Sequence, residues 1–167
     1  MNRNKFLRSS SLAAAGFLAL PSLAYATDNP PLSREVVKEF VSAGHNNPDR
    51  VKEMLENTPN LLYARHDWGG GDFEEAIEGA GHVGNRDIAR YLISKGARTN
   101  LFVLTMLGKK NLVVPVLQEY PNLIHAKGPH GFTLLHHAKV GGEAAAELYH
   151  WLADNGAKDT KLSLTDK

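Results

Sequence analysis

Side chains able to ligate a metal or contact a partner concentrate in two glycine-containing stretches, residues 65–73 (RHDWGGGDF) and 125–132 (HAKGPHGF). Histidine and carboxylate groups supply ligating and hydrogen-bonding atoms, and a tryptophan beside glycines offers a large contact area with one donor. Such side chains on loops are typical of binding surfaces. The residues that we predict to contact a partner are His66, Asp67, Trp68, Asp72, Phe73, His130 and Phe132.

A metal site is one chemistry that these stretches suggest, through His66, Asp67, Asp72, His82, His125 and His130. His66 and His130 lie on different loops and could converge. The spacing matches no ligand signature, however, since there is no His-Glu-x-x-His pattern and no cysteine. The competing interpretation is that these side chains are solvated or cap turns. The sequence therefore assigns no metal ligand and no cofactor, and a metal or small molecule in the notch between the loops remains the alternative function.

Catalytic signatures are absent from the sequence. There is no G-x-S-x-G elbow, no cysteine nucleophile and no phosphate-binding glycine loop between a strand and a helix. The carboxylates of Glu74 and Glu75 are expected to begin a helix, where acidic residues favour the helix dipole. His136 and His137 are neighbours on a helix and point about 100° apart, so they cannot share one ligand. We therefore predict a protein that is not an enzyme.

Pairs of short amphipathic helices must position these loops. Each pair is expected to break at one glycine, at Gly44, Gly84, Gly108 and Gly141. Cap residues for the helices are predicted at Ser33, Asn47, Asn85 and Asn111. One pair cannot bury its apolar stripe alone, so neighbouring pairs must stack.

One stretch carries a recognisable motif. Residues 131–138 (GFTLLHHA) resemble the ankyrin signature G-x-T-P-L-H-x-A, with Leu134 in place of proline, and Gly108 and Gly141 stand about one ankyrin period of 33 residues apart. Residues 96–97 and 156–157 match the Gly-Ala exit of the repeat. The repeat-motif residues are Gly131, Thr133, Leu135, His136, Ala138 and Gly141.

The resemblance covers about residues 34–160 and implies an all-α ankyrin-repeat solenoid of about four helix-turn-helix units over residues 33–160. Its loops would project beside a concave face of first helices, where partners of this family bind. Thr133 would cap its helix, and His136 would bond back to the Thr133 backbone or to the adjacent turn. The chain is also similar to exported bacterial ankyrin-repeat proteins that share a D-W-G-G-G-D loop and a G-P-H-G turn, a group that implies no established enzymatic activity.

Residues 1–26 have the features of a signal peptide. A basic start at Arg3, Lys5 and Arg8 precedes an apolar run over residues 11–24, and Ala-Tyr-Ala leads to a predicted cleavage between Ala26 and Thr27. The run is too short to form a stable membrane span. A flexible spacer over residues 27–32 and a C-terminal tail over residues 161–167 flank the repeat domain. We expect the mature protein to be periplasmic or otherwise exported.

Charge and loop chemistry limit the partner classes. The 167-residue chain carries 19 Lys+Arg against 18 Asp+Glu, and no basic cluster extends beyond Lys109 and Lys110. Nucleic-acid binding, which needs a basic face, is therefore not expected. We predict a monomeric, non-catalytic protein–protein interaction module that uses the loops and the concave face. Trp68 either projects as an anchor for that unknown protein partner or folds back over the helix stack.

Overall fold

Eight α-helices account for most of residues 30–165, the range that the computed structural model describes. They are α1 (Arg34–Asn46), α2 (Pro48–Asn57), α3 (Ala76–Val83), α4 (Arg86–Ser94), α5 (Leu101–Met106), α6 (Lys110–Glu119), α7 (Leu134–Val140) and α8 (Ala146–Asp154). A hairpin of β1 (Arg65–Asp67) and β2 (Phe73–Glu75) lies between α2 and α3. The predominantly helical class is confirmed, and the small hairpin is a feature that the all-α prediction lacked.

The predicted signal peptide and its cleavage position at Ala26 and Thr27 lie outside the described residues. The same holds for residues 27–29 of the predicted spacer and 166–167 of the predicted tail. Residues 30–32 are exposed and have no helix or strand. No helix within residues 30–165 is long and apolar enough to cross a membrane.

Most of the predicted helix starts are confirmed by their side-chain hydrogen bonds. The side-chain oxygens of Ser33, Asn47 and Asn85 each accept a hydrogen bond from the backbone N–H three residues later. The expectation for Asn111 was wrong, because α6 begins at Lys110 and places Asn111 inside its first turn. These local signals therefore set the beginnings of α1, α2 and α4.

The expected glycine break at Gly44 was also wrong, because α1 continues through that residue to Asn46. A Cβ atom at position 44 would lie 2.4 Å from the carbonyl oxygen of Ala76 at the start of α3. Gly44 therefore lets two helices approach closely instead of ending one. Gly84 and Gly108 do follow helix ends, with φ of 78° and 71° in the left-handed region.

The helices pack in a regular order. The first helix of each pair contacts the first helix of the next, so that α1 packs on α3, α3 on α5 and α5 on α7. Each of these helices also packs against the helix that follows it in the chain. Apolar residues on the second helices are buried, among them Val51, Ile88, Val113, Leu148 and Leu152. They belong to two clusters that together form the core.

The hairpin packs against α1, and β2 also contacts α3. Its antiparallel register pairs Arg65 with Glu75, His66 with Glu74 and Asp67 with Phe73. Three glycines with positive φ, at residues 69–71, make the turn. Directly opposed residues on paired strands share one face, so His66 and Glu74 point to the same side, and both are buried.

Candidate metal centre

Four side chains of ligand type meet beside the hairpin, each from a different segment. His45 comes from the last turn of α1, Glu74 from β2, His82 from the last turn of α3 and His130 from the turn Pro129–Gly131. One ligating atom from each of the four lies within 4.8 Å of the others. Among the described residues, these four form the group of ligating side chains compact enough to hold one metal ion.

The carboxylate of Glu74 is the centre of this cluster and is fully buried. Its Oε1 lies 3.1 Å from Nδ1 of His82 and 3.6 Å from Nε2 of His45, and its Oε2 lies 3.5 Å from Nε2 of His130. The indole N–H of Trp68 donates a hydrogen bond to Oε2 at 2.9 Å. A buried carboxylate is unfavourable by several kcal/mol unless hydrogen bonds or an opposite charge compensate it. One indole hydrogen bond compensates only part of that cost.

Hydrogen bonds on the outer sides of the His45 and His130 rings determine which nitrogen carries the proton and which one presents a lone pair to the Glu74 carboxylate. His45 Nδ1 lies 3.1 Å from the carbonyl oxygen of Val41 and 3.2 Å from that of Ser42. Carbonyl oxygens only accept hydrogen bonds, so this Nδ1 carries the proton. His130 Nδ1 donates to Oδ2 of Asp72 at 2.6 Å. In the neutral rings, Nε2 of both histidines therefore directs a lone pair towards Glu74.

Two buried atoms in the cluster have no hydrogen-bond partner among residues 30–165. They are Oε1 of Glu74 and Nδ1 of His82. Their separation of 3.1 Å is short enough for an ion pair, but the direction of the contact is not that of a hydrogen bond. Leaving such a buried group without a partner costs about 1–3 kcal/mol. When the proton of the neutral His82 ring is on Nε2, Nδ1 and Oε1 both present lone pairs and are suited to bind a common cation.

Asp72 holds the His130 ring in position. Its carboxylate accepts hydrogen bonds from both the backbone N–H of His130, at 2.9 Å, and the ring Nδ1. His130 is the one non-glycine residue with positive φ in the described part of the chain, at 57°. Non-glycine residues adopt this conformation where the surroundings enforce it. A carboxylate bonded to the outer nitrogen is the common support of a histidine that ligates a metal.

The repeat-motif histidine supports the helix end that carries His82. His136 Nε2 donates to the carbonyl oxygen of His82 at 2.8 Å, and the ring of Phe132 stacks on His136 at 4.0 Å. The hydroxyl of Thr133 caps α7, as the resemblance implied. His136 thus bonds to the end of α3, and not to the Thr133 backbone or the adjacent turn as the resemblance implied, while it is His137 that bonds back to the Thr133 carbonyl. Burial lowers the pKa of His136, which keeps its ring neutral.

The residues predicted to contact a partner separate into three groups. His130 belongs to the cluster, and Asp72 bonds to the His130 ring. Trp68 folds back onto the cluster, which decides between the two orientations left open by the sequence. His66 is buried with its ring 4.4 Å from that of Trp68, and Phe132 lies partly buried on His136. Asp67 and Phe73 are exposed. The carboxylate of Asp67 accepts a hydrogen bond from the backbone N–H of Gly69.

Of the six side chains that suggested a metal site, only His82 and His130 contribute ligating atoms to the cluster. His125 is exposed and lies outside it. His45 and Glu74 were missed. Glu74 was expected in the first turn of a helix, but it lies in β2, and α3 begins at Ala76. The sequence signal that could have found Glu74 is the Gly69–Gly71 turn, which places residue 74 opposite His66 in a hairpin.

No protein-family model matches this chain, and neither does any curated protein or any solved structure.

Proposed function

We propose that this protein binds one divalent transition-metal ion through His45, Glu74, His82 and His130. The observation that carries the proposal is the pair of buried atoms without hydrogen bonds, Glu74 Oε1 and His82 Nδ1. The Nε2 lone pairs of two further imidazoles point at the same carboxylate. A cation placed among the four groups satisfies all of them at once, because each offers it a lone pair or a negative charge.

The donor set favours a particular class of ion. Imidazole nitrogens with one carboxylate suit Zn²⁺, Fe²⁺, Ni²⁺ and Cu²⁺, whereas Ca²⁺ and Mg²⁺ prefer oxygen ligands throughout. Metal–ligand bonds of about 2.1 Å place neighbouring donors about 3.4 Å apart in a tetrahedral site. Oε1 of Glu74 lies 3.1 Å from Nδ1 of His82 and 3.6 Å from Nε2 of His45, on either side of that value. Nε2 of His130 lies 3.5 Å from the other oxygen, and one donor atom from each of the four residues lies within 4.8 Å of the others.

The competing explanation is a purely structural cluster in which protonated histidines pair with Glu74. A charge-assisted N–H···O bond in such a cluster spans about 2.7–2.9 Å. The His45 and His130 nitrogens lie 3.6 and 3.5 Å from the carboxylate oxygens, which is too far for such bonds. The short contact of His130, 2.6 Å long, joins its Nδ1 to the Asp72 carboxylate instead. The His82 contact, at 3.1 Å, is closer to that range but is misaligned, so neither atom forms a hydrogen bond. The three contacts together therefore favour a shared cation over direct ion pairs.

Calorimetric titration of the full chain with Zn²⁺ tests the proposal. We expect one equivalent to bind, and we expect His82→Ala to lower the affinity by about 100-fold or more, because it removes a ligand and not just an outer support. The matched control is His125→Ala, since His125 is an exposed histidine outside the cluster. Absence of Zn²⁺ binding to the parent chain, or equal losses in the two variants, would overturn the proposal.

For the architecture we propose an ankyrin-type array of four helix pairs. Its support is the packing order, in which each first helix contacts the first helix of the next pair, together with the Thr133 cap of α7. An experimental structure in which consecutive pairs do not stack would contradict it. Export from the cytoplasm and binding of a protein partner stay predictions of the sequence.

A further inference from the structure

We infer that the metal ion keeps one coordination position open to solvent and accepts a small anion there. This inference rests on the proposed metal binding. It goes further by assigning an exogenous ligand to the ion. Four protein donors complete a tetrahedral site, so the anion would be a fifth ligand, in the tetragonal geometry that Cu²⁺ adopts with nitrogen and oxygen donors.

The four ligating side chains are not buried equally. Glu74 and His82 are 0% and 7% exposed and form the floor of the site, whereas His45 and His130 are 22% and 27% exposed and form its rim. Donors therefore approach the ion from the protein interior and from two sides. The remaining direction, between the two rim histidines, faces outward.

An open cavity of about 430 Å³ lies in that direction, lined by Ser42, His45, Asn46, Trp68 and His130. Both rim histidines thus belong to the cluster and to the cavity wall. The other lining residues offer a hydroxyl, an amide and an aromatic face. A small ligand bound to the ion from this side has hydrogen-bonding groups of Ser42 and Asn46 beside it.

The charge balance favours an anion. Neutral imidazoles contribute no charge, so a divalent ion is offset by Glu74 and by Asp72, whose carboxylate is engaged with His130. The ammonium of Lys38 lies 5.9 Å from the centre of the Trp68 ring on the cavity wall. Lys38 does not line the cavity, but its ammonium is a positive charge near that wall. Such a charge attracts anions from solvent.

The test is a titration of the Cu²⁺-loaded full chain with sodium azide, a small anion, followed by visible absorption and electron paramagnetic resonance. We expect a saturable spectral change with one azide per ion and with the ion retained after desalting. Loss of the ion to azide, or no spectral change on a chain that holds Cu²⁺, would overturn the inference while the proposed metal binding stands. Failure of Cu²⁺ and Zn²⁺ to bind at all would overturn both.

Two variants test the cavity itself. Ser42→Phe adds a ring to an exposed position of α1 that lines the cavity, and we expect it to weaken azide binding about tenfold, or 1.4 kcal/mol. Cu²⁺ affinity should change much less, because the substitution keeps the backbone carbonyls of residues 41 and 42 that His45 Nδ1 contacts. Ser94→Phe is the matched control, because Ser94 is exposed on α4 away from the cavity lining. Lys38→Gln removes the charge near the Trp68 side of the cavity and is expected to weaken azide binding less than Ser42→Phe does. Equal azide affinity in the parent chain, Ser42→Phe and Lys38→Gln would overturn the cavity assignment.

Discussion

Two groups of histidines occupy neighbouring parts of the fold and differ in what surrounds them. His45, His82 and His130 surround the buried carboxylate of Glu74, whereas His136 and His137 on α7 have carbonyl oxygens as hydrogen-bond partners. His137 also has a buried nitrogen, Nε2, without a partner in the described chain. We propose metal binding only for the first group, because a second ligating side chain is needed to share an ion.

The pKa values of the α7 histidines follow from the same difference. Burial lowers the pKa of His137 to about 4, and the hydrogen bond to the Thr133 backbone offsets only part of that effect. Its ring packs against Phe102, with centroids 5.2 Å apart. His137 is therefore a neutral core residue. The comparison teaches that a buried histidine is marked as a candidate ligand by a shared carboxylate, and not by burial itself.

The largest expected effect comes from Glu74→Gln, which removes the charge that defines the first group. We expect Zn²⁺ affinity to fall about 1000-fold or more, because the one anionic ligand is lost. Without metal, urea unfolding in the presence of a chelator should show a stability equal to that of the parent or about 1–2 kcal/mol higher, since a poorly compensated buried charge is removed. A loss of about 3–5 kcal/mol would instead indicate a structural ion-pair network and would break the comparison.

His137→Phe tests the second group through the pH dependence of stability. The folded pKa of about 4 lies below the unfolded value of 6.5, so between these pH values the unfolded chain binds a proton that the folded chain does not. The contribution of His137 to the free energy of unfolding is therefore fully present above pH 6.5. It is lost as the pH falls towards 4, by about 3 kcal/mol in total. Urea unfolding at several pH values should show a flatter decline for His137→Phe.

The control for that experiment is His150→Phe, because His150 is exposed, and this variant should keep the parent's decline. Zn²⁺ affinity at neutral pH should be the same in both variants and in the parent chain. A drop in affinity for His137→Phe alone would show that the α7 histidines and the metal site are not separate.

Asp72→Asn is expected to lower the Zn²⁺ affinity less than Glu74→Gln does, because it alters the support of one ligand and removes no ligand. An amide cannot provide the charged acceptor that His130 Nδ1 now has at 2.6 Å, so we expect Zn²⁺ affinity to fall about 10- to 100-fold. Asp67→Asn is a matched control on the same hairpin, since the Asp67 side chain bonds only to the Gly69 backbone N–H in the described chain. Calorimetry that gives equal affinities for the two variants would rule out the positioning role of Asp72.

The local features of the fold could be predicted from the sequence because each depends on a few neighbouring residues. Ser33, Asn47 and Asn85 cap helices by bonding to backbone groups three residues away. Gly44 shows the limit of such reasoning. A glycine near the end of an apolar helix indicates a break, but this one is required by the Ala76 backbone of another helix, and the sequence does not display that contact.

The candidate site depends on contacts between segments that are distant in the sequence, like the contact of Gly44 with Ala76. Glu74 looked like a helix-start acid because acidic residues before an apolar stretch favour the dipole. Its place in β2 follows from pairing with His66 across the Gly69–Gly71 turn. The sequence was compatible with two orientations of Trp68, and in the structure its indole N–H donates a hydrogen bond to the buried carboxylate of Glu74.

What the sequence determined by itself is a predominantly helical chain of amphipathic helices, with capped starts and two polar loops, because periodicity and capping act over one or two turns. Only the tertiary structure brought His45, Glu74, His82 and His130 together, from positions spread over much of the chain. The physical reason is that a ligand cluster is set by packing between segments. The stacking of α1 on α3 and the fold of the hairpin against α1 place these side chains around one buried charge, which no spacing along the chain encodes.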